Sequence, residues 1–213
     1  MTILSFEDSK QLLMDYLSNT GKKKNDIEYR FRHSLLVESL AEKLIEQNQD
    51  LFPNKELNKE FFKACILHDI YKLDKGETHA HDAGILLMEM GFEFEIACAV
   101  MMHSDKHIPK ENVKTISPYA LLLQDIDIIS KYNLETLKIR FGKDDLGNEI
   151  YELFALLKST EFYTPGAQAL AEISCNKMMY DYSTKSSEAF KHVEGGKLKK
   201  MQKFLRKKKK SKR

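Results

Sequence analysis

The sequence predicts an all-α protein, and three observations support this fold class. Apolar residues recur at the 3.6-residue period of a helix through most of the chain, and no alternating strand pattern of useful length is present. Only four Pro and nine Gly interrupt the 213 residues. Serine-proline and threonine-proline pairs that favour helix starts, and glycines that favour helix ends, lie between the periodic segments. We therefore expect a helical bundle around one sizeable core.

The first half of the chain contains five predicted helices, separated by residues that interrupt helical structure. Ser5 is a capping residue for the first of them. Pro53 breaks the chain after the second, and Gly91 is the kind of glycine that ends a helix, here the fourth. That fourth helix begins at His79 or His81. The expected ranges are 6–17, 26–48, 57–73, 79–91 and 92–103.

Two residue pairs mark helix starts in the second half. Ser117 precedes Pro118, and a capping serine followed by proline at the first helical position is a favoured start; this helix should run to about Tyr132. Thr164 and Pro165 repeat the arrangement and open a long helix toward residue 193. We expect four parts: an N-terminal helix over 1–25, a core domain over 26–132, a helical extension of that domain over 133–196, and a frayed or disordered basic tail over 197–213.

Composition and charge exclude several protein classes. The three cysteines lie far apart, which does not suggest a disulfide framework and favours a reducing, cytoplasmic compartment. No segment resembles a signal peptide or approaches about eighteen consecutive apolar residues, so we expect no membrane contact.

The net charge is +2, but residues 197–213 carry eleven Lys or Arg and no acid. This tail predicts at most a weak, non-specific contact with nucleic acid, and a solvated end is the alternative.

Histidine and aspartate side chains occur within apolar helical patterns at four separate places. His68 and Asp69 follow an apolar run, and His33, His103 and Asp127 each share a helix face with apolar residues. A buried carboxylate costs several kcal/mol or more unless a cation or donor compensates it. A single inward histidine is more often a hydrogen-bonded core residue. Four such positions together favour a divalent metal centre, because imidazole and carboxylate are its usual ligands.

Three stretches resemble the HD-domain superfamily of metal-dependent phosphohydrolases, whose ligands occur in the order His, His-Asp and a distant Asp. The stretches read Arg-Phe-Arg-His-Ser-Leu (30–35), Leu-His-Asp-Ile-Tyr-Lys (67–72) and Leu-Leu-Gln-Asp-Ile-Asp (122–127). By the family's register Asp127 is the last ligand and Asp125 its neighbour. The resemblance covers residues from about 26 to 132. It implies an HD-domain helical bundle, followed by the helical extension that many relatives carry.

Two further segments resemble those of HD proteins that hold two metals. The His-Asp-Ala-Gly sequence at 81–84 resembles a His-x-x-Gly segment, and the Met-His pair at 102–103 resembles the later histidine. His79 competes with His81 for the same role, whereas His107 is expected in an exposed loop. Iron or manganese is the expected metal, as one or two divalent ions, with magnesium, cobalt, nickel or zinc as alternatives. The implied ligands are His33, His68, Asp69, His81, His103 and Asp127.

The resemblance implies hydrolysis of a phosphoester or phosphoanhydride of a small substrate, expected to be a nucleotide, by a metal-activated water. His68, Asp69 and Lys72 are the expected catalytic residues, and Lys72 and Arg30 are expected to bind substrate phosphate. No Gly-Tyr-Pro motif follows His103, which argues against cyclic-di-GMP phosphodiesterases. No glutamate lies three or four residues after the His-Asp pair, which argues against alarmone hydrolases and deoxynucleoside monophosphatases. The alternative is a non-catalytic HD module that binds a metal or nucleotide and contacts RNA through its tail.

Overall fold

The computed structural model describes residues 4–104, 113–141, 143–185, 196–197 and 199–200. All regular secondary structure in these ranges is helical, which confirms the predicted all-α class. Within the same ranges, no helix combines the length and hydropathy needed to cross a bilayer. The α-helices are α1 (Phe6–Asn19), α2 (Lys24–Gln47), α3 (Lys55–Leu67), α4 (His79–Glu89), α5 (Phe94–Met102), α6 (Pro118–Ser130), α7 (Leu134–Arg140), α8 (Lys143–Ser159) and α9 (Ala167–Lys185).

Polar side chains cap three of these helices close to their expected starts. At α1 the Ser5 side chain accepts a hydrogen bond from the Asp8 N–H, and the Asp8 carboxylate accepts one from the Ser5 N–H, forming a capping box. At α3 the Asn54 side chain accepts two N–H groups of the first turn, each at 3.1 Å. At α6 the Ser117 hydroxyl accepts the Tyr119 N–H at 3.2 Å. The local sequence therefore sets these boundaries.

The expectation that the third helix continues beyond the His-Asp pair is wrong. α3 ends at Leu67, and His68 is its C-cap residue. Beyond that point the Ile70 N–H bonds to the Leu67 carbonyl at 3.0 Å, and the Lys72 N–H bonds to the Asp69 carbonyl at 2.9 Å. Such bonds between residues three apart form the tight turns that are common at helix C-termini. The His-Asp pair therefore lies in a turn, with both side chains buried.

The chain divides into two compact units. The first comprises residues 1–130 and 162–168, and it contains α1 to α6. In this unit α2 contacts α1, α3 and α6, while α5 contacts α3, α4 and α6. Burial of each large apolar side chain contributes about 1.5–3 kcal/mol, so this core holds the helix ends in place. Its fully buried side chains include Leu17, Val37, Leu44, Phe61, Ile66, Leu87, Ile96 and Leu122.

The second unit comprises residues 131–161 and 169–213. In it α7 contacts α8, and α8 buries Ile150 and Phe154. Residues 186–195, into which α9 was expected to extend, lie outside the described residues, as does most of the basic tail. Of that tail, the Lys197 ammonium lies 3.0 Å from a carboxylate oxygen of Glu152 in the same unit. The unit carries none of the candidate metal ligands.

Candidate metal centre

Six polar side chains of the first unit converge on one place in its core. Five of them are no more than 6% exposed, and the sixth, Asp127, has a side chain that is 17% exposed. They come from four helices and one turn, so helix packing alone brings them together. The six are His33 of α2, His68 and Asp69 of the turn after α3, His79 at the start of α4, His103 at the end of α5, and Asp127 of α6.

The first group of ligand atoms joins α2, α6 and the turn after α3. The Nε2 atom of His33 lies 3.1 Å from Asp127 Oδ1 and 3.6 Å from Asp69 Oδ2. The Nε2 atom of His68 lies 3.8 Å from each of the same two oxygens. All four ligand atoms lie within 4.8 Å of one another. These four atoms could together hold one cation.

The second group joins the same turn to α4 and α5. Asp69 Oδ1 lies 3.1 Å from His79 Nε2 and 3.3 Å from His103 Nε2. The two imidazole nitrogens are themselves 3.3 Å apart. The three atoms therefore form a compact triangle, which could hold a second cation from one side.

Asp69 belongs to both groups, and its two carboxylate oxygens face different histidines. Oδ2 is directed toward His33 and His68, whereas Oδ1 is directed toward His79 and His103. A carboxylate placed in this way could serve two neighbouring cations, one through each oxygen. The centre thus consists of a first half-site (His33, His68, Asp69 Oδ2 and Asp127) and a second half-site (Asp69 Oδ1, His79 and His103).

Backbone carbonyls assign the tautomer of three of the imidazoles. The Nδ1 atoms of His68, His79 and His103 lie 2.7, 2.6 and 2.6 Å from the carbonyl oxygens of the residues three positions earlier. A carbonyl can only accept, so each Nδ1 carries the proton and donates it. When the ring is neutral, each Nε2 consequently presents its lone pair to the centre, which is the form that binds a metal.

His33 has the same tautomer for a different reason. The Ser130 hydroxyl lies 3.0 Å from His33 Nδ1 and donates its own proton to the Asp127 carbonyl, 2.7 Å away. Its oxygen is therefore left to accept the proton on His33 Nδ1. Ser130, which positions His33, thus lies on α6, the helix that also carries Asp127, and no pattern in the sequence marks it for this role.

The spacing of these atoms fits divalent cations. Two ligand atoms about 2.1 Å from one cation, and separated by about 90° to 120°, are about 3.0–3.6 Å apart. The second half-site has edges of 3.1 and 3.3 Å, and the contacts of the first half-site range from 3.1 to 3.8 Å. The buried Nε2 atoms of His33 and His68 make no well-directed hydrogen bond within the described residues. Such atoms require a cation or a donor, and mixed imidazole and carboxylate ligands suit transition metals.

The charges around Asp69 keep it ionised. Burial on its own would raise the pKa of this carboxyl group. Opposite charge and hydrogen bonds outweigh burial and hold the pKa well below its usual value. The groups responsible are His68, His103, His79 and Arg30. A carboxylate that stays ionised while buried is suited to hold a cation.

The two histidines of the first half-site respond differently to the carboxylates. Burial lowers the pKa of His33, although Asp127 and Asp69 act in the opposite direction, so its imidazole is neutral at pH 7. Burial also acts to lower the pKa of His68, but there Asp69 and Asp127 prevail and the pKa is raised. The carboxylates of Asp69 and Asp127 therefore favour a positive charge next to His68 Nε2.

Both basic residues predicted from the sequence lie beside the centre. Arg30 Nη1 donates to Asp69 Oδ2 at 2.8 Å, and its side chain is 14% exposed. The Lys72 ammonium lies 2.9 Å from His79 Nε2. Positive charge is thus placed at each half-site.

The structure does not bring His81 to the centre. Its side chain is 66% exposed and lies 3.9 Å from Asp82, whereas His79 at the start of the same helix is 2% exposed and is in the second half-site. Asp125 is also separate from both groups, because it bonds to the backbone of residues 163 and 164. His107 lies outside the described residues. Among the candidates, His79 therefore takes the position that the sequence analysis assigned to His81.

Comparison with known proteins identifies the part of the chain that contains this centre. Residues 30–132 match the family model described as HD domain, which confirms the resemblance drawn from the sequence. Every residue of the two half-sites lies within the matched range. No curated protein and no solved structure matches the chain.

Proposed function

We propose that this chain, which carries an HD domain over residues 30–132, is a hydrolase of phosphoester or phosphoanhydride bonds that uses one or two divalent cations. One observation carries the proposal: four Nε2 lone pairs and the carboxylates of Asp69 and Asp127 meet at one buried place. A binding module has little need for so complete a ligand set. Fe²⁺ and Mn²⁺ are the cations that the family resemblance implies, and mixed imidazole and carboxylate ligands also accept other divalent transition metals.

Residues of both half-sites would hold the cations. Hydrogen bonds within the chain keep these side chains in the orientation that cation binding requires. When bound, divalent cations lower the pKa of water and neutralise charge on phosphoryl oxygens. The Nδ1 hydrogen bonds of His68, His79 and His103 fix the rings before any ligand arrives. The Arg30 guanidinium fixes the Asp69 carboxylate in the same way. The imidazole rings and the Asp69 carboxylate then need to move little when the cations and the substrate bind.

The basic residues would bind the phosphate of the substrate. A guanidinium has five N–H donors, so Arg30 retains donors beyond the one that contacts Asp69. Lys72 supplies a second positive charge at the opposite half-site. A small phosphorylated compound, such as a nucleotide, is the substrate class that this charge favours. The three cysteines are free thiols, in keeping with a cytoplasmic enzyme.

The full chain, purified without oxygen, should contain bound metal and release phosphate from members of a nucleotide panel with Mn²⁺ or Fe²⁺. His68→Ala should abolish this activity because it removes a ligand of the first half-site. His81→Ala is the matched control, since His81 is exposed and outside both groups. Activity of His68→Ala near the wild-type rate would show that the centre is wrongly assigned. Absence of both metal and hydrolysis would favour the non-catalytic HD module instead.

A further inference from the structure

The position of Lys72 suggests a role beyond phosphate binding. Its ammonium lies 2.9 Å from Nε2 of His79. The other ring nitrogen of His79 donates its proton to the Gly76 carbonyl, 2.6 Å away. His79 Nε2 therefore has one in-plane lone pair, and the ammonium donates to it.

A cation in the second half-site needs that same lone pair. A metal bound to an imidazole lies about 2.0–2.1 Å from the nitrogen, along the direction in which a hydrogen-bond donor would otherwise approach. The Lys72 ammonium and a divalent ion therefore cannot both use His79 Nε2. One has to leave before the other can bind.

The second half-site also has a reason to hold an ammonium when no metal is present. Its three ligand atoms, Asp69 Oδ1, His79 Nε2 and His103 Nε2, are all acceptors and lie 3.1 to 3.3 Å apart. Acceptors that face one another without a proton or cation between them repel. The Lys72 ammonium brings one positive charge to this group and donates to one of the three atoms, His79 Nε2.

At the first half-site, the basic neighbour and a metal do not compete for the same lone pair. Its basic neighbour, Arg30, donates to Asp69 Oδ2 at 2.8 Å. A carboxylate oxygen has two lone pairs, so the guanidinium leaves one for a cation. Arg30 and a metal can therefore be bound to Asp69 at the same time, unlike Lys72 and a metal at His79.

We propose that Lys72 is an internal cation of the second half-site, which a second divalent ion must displace. The chain then holds one divalent ion firmly at His33, His68, Asp69 and Asp127, and a second only weakly. Loading of the second ion breaks the contact between the Lys72 ammonium and His79 Nε2. This inference rests on the metal centre of the proposed function and assigns to Lys72 the control of its occupancy.

Stepwise binding of Mn²⁺ to the metal-free full chain tests the proposal. Equilibrium dialysis gives the number of ions bound, and electron paramagnetic resonance distinguishes isolated ions from coupled neighbours. Wild-type protein should bind the second ion far more weakly than the first. Lys72→Met has nearly the same length without the charge, and it should strengthen binding of the second ion about tenfold or more, a usual size for coupling between sites. Binding of the first ion should change little.

Two control variants show whether the change in second-ion binding comes from the charge of Lys72 or from any substitution in this turn. Lys72→Arg keeps a cation and should leave the second ion weakly bound. Lys75→Met removes an exposed lysine of the same turn and should match wild type. If Lys72→Met does not fold, Lys72→Gln replaces it.

The proposal is overturned if wild-type protein binds two ions with equal affinity, or if the charge-removing variants leave second-ion binding unchanged. Either result contradicts the role of Lys72 while the proposed function stands. A wild-type chain that binds no Mn²⁺ contradicts the metal centre itself.

Discussion

The carboxylate of Asp125 accepts a hydrogen bond from the backbone N–H of Thr164, whose nitrogen lies 2.6 Å away. It also accepts the N–H of Tyr163, at 3.1 Å. Asp125 is 1% exposed, and these bonds tie α6 to the 162–168 segment of the same unit. Although only two positions before Asp127, Asp125 therefore serves the packing of the chain and not the metal centre.

The buried Asp125 should make stability depend on pH. Burial raises its pKa from the ordinary 3.8 to about 6, although the N–H groups of Thr164 and Tyr163 act against this. An acid whose pKa is raised by folding binds more protons when folded, so its contribution is complete below about pH 4 and is lost as pH rises through about 6. The contribution amounts to about 3 kcal/mol in the free energy of unfolding.

Asp125→Asn removes this titration and provides the comparison. Urea unfolding of both proteins from pH 4 to pH 7.5 should show wild-type protein losing stability relative to Asp125→Asn across that window. Other carboxyl groups titrate in both proteins, so their effect cancels in the difference. Two stability curves that stay parallel would contradict the raised pKa.

Arg30→Met should destabilise the metal-free protein because it leaves the Asp69 carboxylate buried without its guanidinium. Removal of one partner of a buried ion pair costs about 3–5 kcal/mol. Mn²⁺ should restore part of this loss, since a divalent cation compensates the same carboxylate. Thermal unfolding with and without Mn²⁺ measures both effects.

The control for Arg30 is Arg32→Met. Arg32 pairs with Glu28 on the surface of α2, where the two side chains are 54% and 38% exposed. Exposed pairs contribute about 0–1 kcal/mol, so this variant should resemble wild type. Equal losses for the two variants would show that Arg30 does not act through the buried carboxylate.

Ser130→Ala should weaken metal binding without unfolding the protein. The variant removes the acceptor for His33 Nδ1, which frees the ring to rotate and to change tautomer. Loss of such a supporting hydrogen bond typically lowers metal affinity about 10-fold to 100-fold. Calorimetric titration with Mn²⁺ gives the affinity. Ser130→Thr keeps the hydroxyl and should recover it, and Ser9→Ala on α1 is a control at another buried serine.

Gly84→Ala should disturb the second half-site through helix packing. An added Cβ would overlap the Met101 side chain and lie 2.8 Å from the Ala97 carbonyl oxygen. The side chain of Met101 can move, but the backbone carbonyl cannot, so α4 and α5 must separate. Their separation would pull His79 from His103, and overpacking of this kind costs about 1–3 kcal/mol.

The measurements for Gly84→Ala are the free energy of unfolding and the binding of a second Mn²⁺ ion, both of which should decrease. Gly196→Ala is the control, because its added Cβ would meet nothing within 4 Å. Normal second-ion binding in Gly84→Ala would show that the contact between α4 and α5 does not set the spacing of the two histidines.

The sequence favoured His81 over its competitor His79, and the reason lies in α4. His81 is followed four and seven residues later by Ile85 and Met88, so its helix face looks as apolar as a core face. In the structure Ile85 and Met88 are 36% and 37% exposed. His79 instead shares a face with residues 83 and 87, which are fully buried. Periodicity identifies apolar faces, but only packing selects which of them is covered.

Local features of the sequence determined the helical class, the capped starts of α1 and α6, and the residue types of the centre. They did so because helix periodicity, capping and ligand chemistry depend on residues that are close in the chain. The tertiary structure decided which atoms meet: the two oxygens of Asp69 face different histidines, and Lys72 contacts His79. It likewise directed Asp125 toward Thr164. These contacts depend on how separate helices and turns pack, and no short stretch of sequence specifies that arrangement.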